Sequence, residues 1–153
     1  MMNIATFEES RVIHANPAEV YQLLADYQHG HALILPKPYF VDLRVLEGGF
    51  GEGTIIDVDM EVFGVKRTMQ MVVTEPEKGA ILVEKEEATG TVTHFFFEPH
   101  AEGCYLRIRT TMIFGAGVIG FIEKLTTPVI TRKIYREELQ NIADYFAKVP
   151  QTA

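Results

Sequence analysis

His94 falls inside a strand-like run, and three consecutive aromatics, Phe95, Phe96 and Phe97, follow it. An imidazole titrates near neutrality, so in a closed apolar space it could polarise a carbonyl or carry a proton. Glu84, Glu86 and Glu98 are the nearest acids that could orient it. If Phe95 and Phe97 face outward, His94 points inward beside Phe96. If they face inward, His94 lies on the outer surface or bonds a neighbouring strand. His94 is therefore the candidate catalytic residue, with an ordinary strand histidine as the competing reading.

The other chemistry-bearing residues read as structural. His29 and His31 stand two apart at a helix end, where both could reach one metal only from an extended loop, and no third ligand is evident. Gly49-Phe50-Gly51-Glu52-Gly53 superficially resembles a dinucleotide loop, but it leads into a strand and offers no helix N-terminus to a phosphate. Asp57, Asp59 and Glu61 alternate along one strand face, as acids on a wet face do. Cys104 follows a turn glycine without a basic neighbour, so it lacks what a reactive thiol needs. Tyr27, Tyr39 and Tyr105 could bond a ligand, although packed tyrosines are common. These residues call for no metal and no organic cofactor.

The elements that must position His94 follow from periodicity. Thr6 to Ala15 suits a first strand, with Phe7, Val12 and Ile13 as its apolar members. Asn16-Pro17-Ala18-Glu19 then supplies an N-cap, a proline at the first helical position and an acid at the third. Val20, Leu23, Leu24 and Tyr27 continue at helical spacing, and a second short apolar piece, Ala32 to Leu35, ends before Pro36 and Pro38. From Tyr39 the period becomes two. Tyr39–Glu47, Thr54–Phe63, Val65–Glu75, Ala80–Ala88, Thr91–Glu98 and Tyr105–Phe114 give six further strands, and their short Gly-rich separators force an antiparallel meander.

Alternation also assigns faces. Ile56, Val58, Met60 and Val62 share one side of their strand, as do Met69, Met71 and Val73 of the next. Leu106, Ile108, Thr110 and Met112 are placed inward, which leaves Arg107 and Arg109 outside. The run around Leu82 and the Phe95–Phe97 run stay ambiguous between faces.

Gly117 to Val149 reads as one long helix. Tyr135, Leu139, Ile142, Phe146 and Val149 form a single stripe on its second half. In the first half Val118, Ile119, Phe121, Ile122, Leu125, Val129 and Ile130 point nearly all round, so that half is expected to be covered on more than one side. Pro128 predicts a kink there, or a restart with Thr127 as N-cap.

Composition narrows the function classes. With 153 residues, 47% of them hydrophobic and 23% charged, the chain suits one globular domain over residues 1–153. A formal charge of -7 without a Lys/Arg run argues against nucleic acid and anionic membranes as partners. A single cysteine excludes an internal disulfide and suits a reducing compartment. The N-terminus lacks a basic start and an apolar run, and the most apolar window, Ile113 to Ile122, is too short to span a bilayer. The expectation is a cytoplasmic protein with no stable membrane insertion.

The segment NPAEVYQLLADY after the first strand, the LEGGFGEGT turn, the FFFEPHAEGCYLRIR hairpin and the terminal helix with its internal Pro128 together resemble the START-like (SRPBCC) superfamily, in its polyketide cyclase/dehydrase branch. The resemblance covers nearly the whole chain and is one of pattern and element order. It implies an α+β helix-grip fold: a seven-stranded curved antiparallel sheet wrapped around a long C-terminal helix, with two short helices after the first strand. It also implies an apolar ligand held between sheet and helix, in an enzyme, a carrier or a regulator.

A dry void of about 300 Å³ would cost about 7 kcal/mol at about 24 cal/mol per Å³, comparable with the ~5–15 kcal/mol stability of a domain. Such a gap must be occupied or closed. Methionine suits an adaptable wall, and equally suits plugging a core outright. The expected ligand-binding residues are Val58, Met60, Met69, Met71, Phe96, Ile108, Phe121, Ile122 and Leu125, with His94 as a polar anchor. Three functions fit: binding of a small apolar or amphipathic ligand, a cofactor-independent cyclase or dehydratase, and a protein-interaction module using residues 115–125. An oligomer is possible but is not predicted.

Overall fold

The computed structural model describes residues 2–148. Its first strand, β1 (Asn3–Ile13), leads to α1 (Pro17–Ala25) and α2 (His31–Ile34). The meander follows as β2 (Phe40–Glu47), β3 (Ile55–Val62), β4 (Val65–Glu77), β5 (Ile81–Glu86), β6 (Thr91–His100) and β7 (Gly103–Phe114), before the long helix α3 (Val118–Lys148). One curved seven-stranded antiparallel sheet runs in the order β1-β7-β6-β5-β4-β3-β2. The chain thus has the helix-grip fold.

Local chemistry explains these elements. The cap of α1 is reciprocal: the Glu19 amide donates to Asn16 Oδ1 at 2.9 Å, and the Asn16 amide donates to Glu19 Oε2 at 3.4 Å. The β3–β4 connection is the two-residue turn Phe63-Gly64, with φ of 51° and 79°, a primed turn whose twist matches the flanking strands. β1 begins earlier than alternation suggests because it pairs with β7 along its whole length, from Asn3 opposite Phe114 to Ile13 opposite Cys104. That pairing joins the first strand to the last and brings α3 back over β1 and β7.

The helix is continuous through Pro128. Thr127 lies inside it as an acceptor rather than at its start, with the Thr131 hydroxyl donating to its carbonyl at 2.9 Å. The expected restart at Thr127 is therefore corrected. On the second half Ile134, Leu139, Ile142 and Phe146 are buried, and Val149 lies outside the described residues. The first half departs from expectation. Val118, Ile119, Phe121, Ile122, Leu125 and Val129 are exposed, and only Gly120 there is buried, so that half is not covered on several sides.

The packed core sits under the second half of α3, where Leu24, Leu106, Ile108, Leu139 and Ile142 are fully or almost fully buried in one cluster. Beyond it, under residues 127–138 of α3, sheet and helix separate. No helix among the described residues is long and apolar enough to cross a membrane.

Candidate functional site

The separation leaves a cavity of about 330 Å³, within the size range of small-molecule sites. Ile56, Val58 and Met60 of β3 and Met69 and Met71 of β4 form its apolar wall, because alternation turns these residues toward α3. Thr127, Ile130, Thr131 and Ile134 face them from the helix. Toward the β3–β4 turn the lining includes Val65 and Arg67, both exposed, so the cavity reaches solvent at that end. Arg67 is not free there: it is ion-paired with Glu86, which also accepts from the Thr89 hydroxyl at 2.6 Å.

The other end is polar and buried. Asp26 closes the turn after α1, its side chain accepting from the amides of Gln28 and His29 at 3.2 and 3.1 Å, and this turn delivers Tyr27 and His31 to the sheet. Their rings stack at 4.8 Å. His31 Nδ1 lies 2.7 Å from the carbonyl of Leu24, which can only accept, so Nδ1 carries the proton and Nε2 is turned toward Glu84 Oε2 at 3.8 Å. The Tyr27 hydroxyl donates to the same Glu84 oxygen at 2.7 Å. Burial first, and then the charge of Glu84, hold the Tyr27 hydroxyl well above its ordinary range.

From the helix, Tyr135 and Glu138 descend one turn apart onto this cluster. Tyr135 shares a hydrogen bond with Thr110 at 2.6 Å, and Thr110 shares another with Thr93 at 2.9 Å. Burial pushes the Tyr135 hydroxyl up to about 12. Glu138 is 2% exposed, and its Oε1 is buried with no hydrogen-bond partner. Burial, and next the charge of Glu84, push its carboxyl up to about 8, so it is mainly a neutral acid at neutral pH. An acid that holds its proton beside a second carboxyl and an imidazole can donate to one ligand atom while a neighbour accepts from another.

A family model for polyketide cyclase / dehydrase and lipid transport matches residues 5–147. The chain belongs to that family. Among solved structures, this family member is similar to the KanY protein, with 27% identity over 95% of this chain and 96% of that one and a TM-score of 0.76. It also resembles the di-domain ARO/CYC StfQ of the steffimycin biosynthetic pathway, with 19% identity and a TM-score of 0.76, covering 95% of this chain but 53% of StfQ. A third likeness is to the Zhui aromatase/cyclase from Streptomyces sp. R1128, with 16% identity, 93% of each chain covered and a TM-score of 0.73. At such identities the last two show the fold. The comparison with curated proteins gives no match.

In this polyketide cyclase/dehydrase family member the expected site residues divide. Val58, Met60, Met69 and Met71 line the cavity. Ile108 is fully buried in the core cluster and does not line the cavity. Phe121, Ile122 and Leu125 are 51, 52 and 58% exposed and belong to the part of α3 that precedes the cavity-lining turns. Their placement in the lining is corrected.

His94 and Phe96 are corrected too. Thr93 and Phe95 turn into the cavity, and a strand's period of two puts His94 and Phe96 on the opposite face. There His94 stacks on Phe96 at 5.7 Å, and the guanidinium groups of Arg107 and Arg109 lie 4.3 and 4.9 Å from the Phe96 ring. Partial burial first, and then the Arg109 charge, hold the imidazole below its ordinary value.

The residues that do converge are Tyr27, His31, Glu84, Thr93, Tyr135 and Glu138. Glu138 carried a signal in the sequence. It falls three after Tyr135 and four before Ile142, an acid on the apolar stripe of a helix. Glu84 becomes an inward residue once Leu82 is placed inward, by the same alternation. His31 carried no such signal, because only the turn set by Asp26 turns its ring inward.

A broader cleft of about 880 Å³ lies between α1 and the C-terminal end of α3. Its titratable residues, His14, Glu19, Asp26, His29, Glu102 and Tyr145, are none of them buried, so it offers no comparable chemistry. Among the described residues no group of three or more His, Cys, Asp or Glu is arranged to hold a metal ion.

Proposed function

We propose that this protein binds a small apolar or amphipathic molecule in the cavity between the sheet and α3. The observation that carries this reading is the contrast within the one cavity: walls of Ile56, Val58, Met60, Met69 and Met71, and at one end a buried acid with an unpartnered oxygen. An apolar body would replace empty volume along the methionines, whose flexible side chains adjust to different shapes. The polar end would fix its orientation. The family and its aromatase/cyclase neighbours support a ligand-binding or cyclase role at this coarse level. Native mass spectrometry of protein purified gently from its own cells should show an adduct of small-molecule mass that disappears on denaturation. Fully adduct-free protein that also takes up nothing from a lipid and metabolite extract would contradict the reading.

A second reading is a cofactor-independent cyclase or dehydratase acting on a polyketide-like or aromatic substrate, favoured by the proton held on Glu138 beside Glu84. In it Glu138 donates to a substrate carbonyl oxygen, while the Glu84 carboxylate or His31 Nε2 accepts a proton from the adjacent carbon. The acid and base are then Glu138 and Glu84 or His31, in place of His94. Turnover lost in Glu138→Gln with binding retained would support this. Turnover unchanged in both Glu138→Gln and Glu84→Gln would remove it. The free thiol of Cys104, buried and pushed up to about 11 by that burial, is compatible with the reducing cytoplasm as the place of action.

A further inference from the structure

The charges around the cavity do not balance. Four lining residues can carry charge: His31, Arg67, Glu84 and Glu138. Arg67 is committed to Glu86 at the open end. At the closed end two carboxyls meet one imidazole, and that imidazole already spends Nδ1 on the Leu24 carbonyl while facing Glu84 with Nε2. Glu84 also has the Tyr27 hydroxyl. Glu138 has nothing of the kind: its Oε1 is buried and unpartnered on a residue 2% exposed. An unpartnered carboxyl oxygen in a buried site costs about 1–3 kcal/mol or more until something donates to it.

We propose that the closed end of the cavity is a site for an organic cation, the protonated nitrogen of a primary amine whose apolar tail lies along Val58, Met60, Met69 and Met71. The proposal rests on the reading that the cavity takes a small amphipathic ligand, and it specifies the head group. An ammonium brings several donors and one positive charge, and both the unpartnered Glu138 oxygen and Glu84 belong to the lining that would receive it. A metal ion would need three or more His, Cys, Asp or Glu side chains close enough to share it, and among the described residues no such group is so arranged. The Thr93 and Tyr135 hydroxyls also line this end, so an acceptor is available for a further N–H.

Binding is an exchange. The incoming ammonium takes the place of the proton on Glu138, which leaves to solvent, so charge in the closed end is conserved. The titratable groups around Glu138 in this exchange are Glu84 from β5, His31 from α2 and Tyr135 from α3 itself, which share its lining, and Tyr27 from the turn before α2, which its charge reaches. Below about pH 8, where Glu138 holds its proton, amine affinity should rise about tenfold per pH unit, and above it the affinity should level off. A neutral head group of the same length should show no such slope.

Isothermal titration calorimetry of the full chain with n-hexylamine, 1-hexanol and hexanoate, from about pH 6 to about pH 9, tests this. The expected result is hexylamine binding about tenfold or more tighter than hexanol near pH 8, with one proton released to buffer at lower pH and hexanoate weakest of the three. In Glu138→Gln the preference for the amine over hexanol and its pH slope should both vanish. Hexanol binding as tightly as hexylamine at every pH, or amine binding without proton release, overturns the cation site and leaves the apolar cavity standing. No binding by any of the three overturns both. Because the wild-type slope is decisive by itself, a poorly folding variant does not blunt the test.

Discussion

Glu138 should make the stability of this protein fall as pH rises through the neutral range. Its carboxyl titrates at about 8 in the folded chain against an ordinary value of 4.5, because burial and the charge of Glu84 both disfavour the ion. Between those values the folded state holds a proton that the unfolded state has lost, so raising the pH favours unfolding. The contribution is fully present below about pH 4.5 and fully lost above about pH 8. At about 1.4 kcal/mol per pH unit the displacement amounts to about 5 kcal/mol, a large share of the ~5–15 kcal/mol that holds a domain folded. Urea unfolding of ligand-free protein at about pH 5, 7 and 9 reads this directly as a shift in midpoint at constant slope. Glu138→Gln keeps the shape and cannot ionise. It should abolish most of the pH dependence and be the more stable protein at about pH 9, by about 5 kcal/mol less the ~1–3 kcal/mol cost of an imperfectly bonded amide. If wild type and variant lose stability in parallel from pH 5 to pH 9, the buried-acid argument is refuted.

Other consequences are simpler to check. His94→Ala should leave ligand uptake and any turnover unchanged, since the imidazole lies on the face away from the cavity, and a loss of binding in a folded variant would contradict the assigned faces. Val58→Phe should narrow the cavity, reducing ligand affinity at least severalfold at a stability cost of about 1–3 kcal/mol or less; unchanged affinity would place the ligand elsewhere. Phe121→Ser should change stability by about 0.5 kcal/mol or less, because Phe121 is half exposed, whereas Ile142→Ala, at a fully buried position, should cost about 2–5 kcal/mol. Thermal or urea denaturation of the two side by side would expose an error in the division of α3.

The fold was legible because its signals repeat. Each strand of the meander carries its own alternation and each turn its own glycine, so small boundary errors such as the late start for β1 leave the topology intact. The cavity wall was legible for the same reason: Val58, Met60, Met69 and Met71 sit on strands with one apolar face and one polar face. Failures came where both faces are apolar. In Phe95-Phe96-Phe97 either register buries aromatic surface, and the choice was decided by Arg107 and Arg109 covering the Phe96 ring from β7, a contact between strands that composition along one strand cannot show. The all-round apolar half of α3 predicts cover on several sides, yet Phe121, Ile122 and Leu125 remain exposed: hydrophobicity specifies what can be buried, and tertiary geometry decides what is. Glu138 was visible as an acid on an apolar stripe, but its importance comes from sharing the cavity lining with Glu84, whose charge acts on it.

The central claim is that the space beneath α3 receives a guest. Methionine methyl groups report on it directly, because Met60, Met69, Met71 and Met112 line the cavity whereas Met2 is 65% exposed at the start of the chain. In a methyl-labelled NMR titration with hexylamine and hexanol, the four lining methyls should shift together and saturate while Met2 stays in place. Four unmoved methyls at saturating ligand, or shifts confined to Met2, would contradict the account.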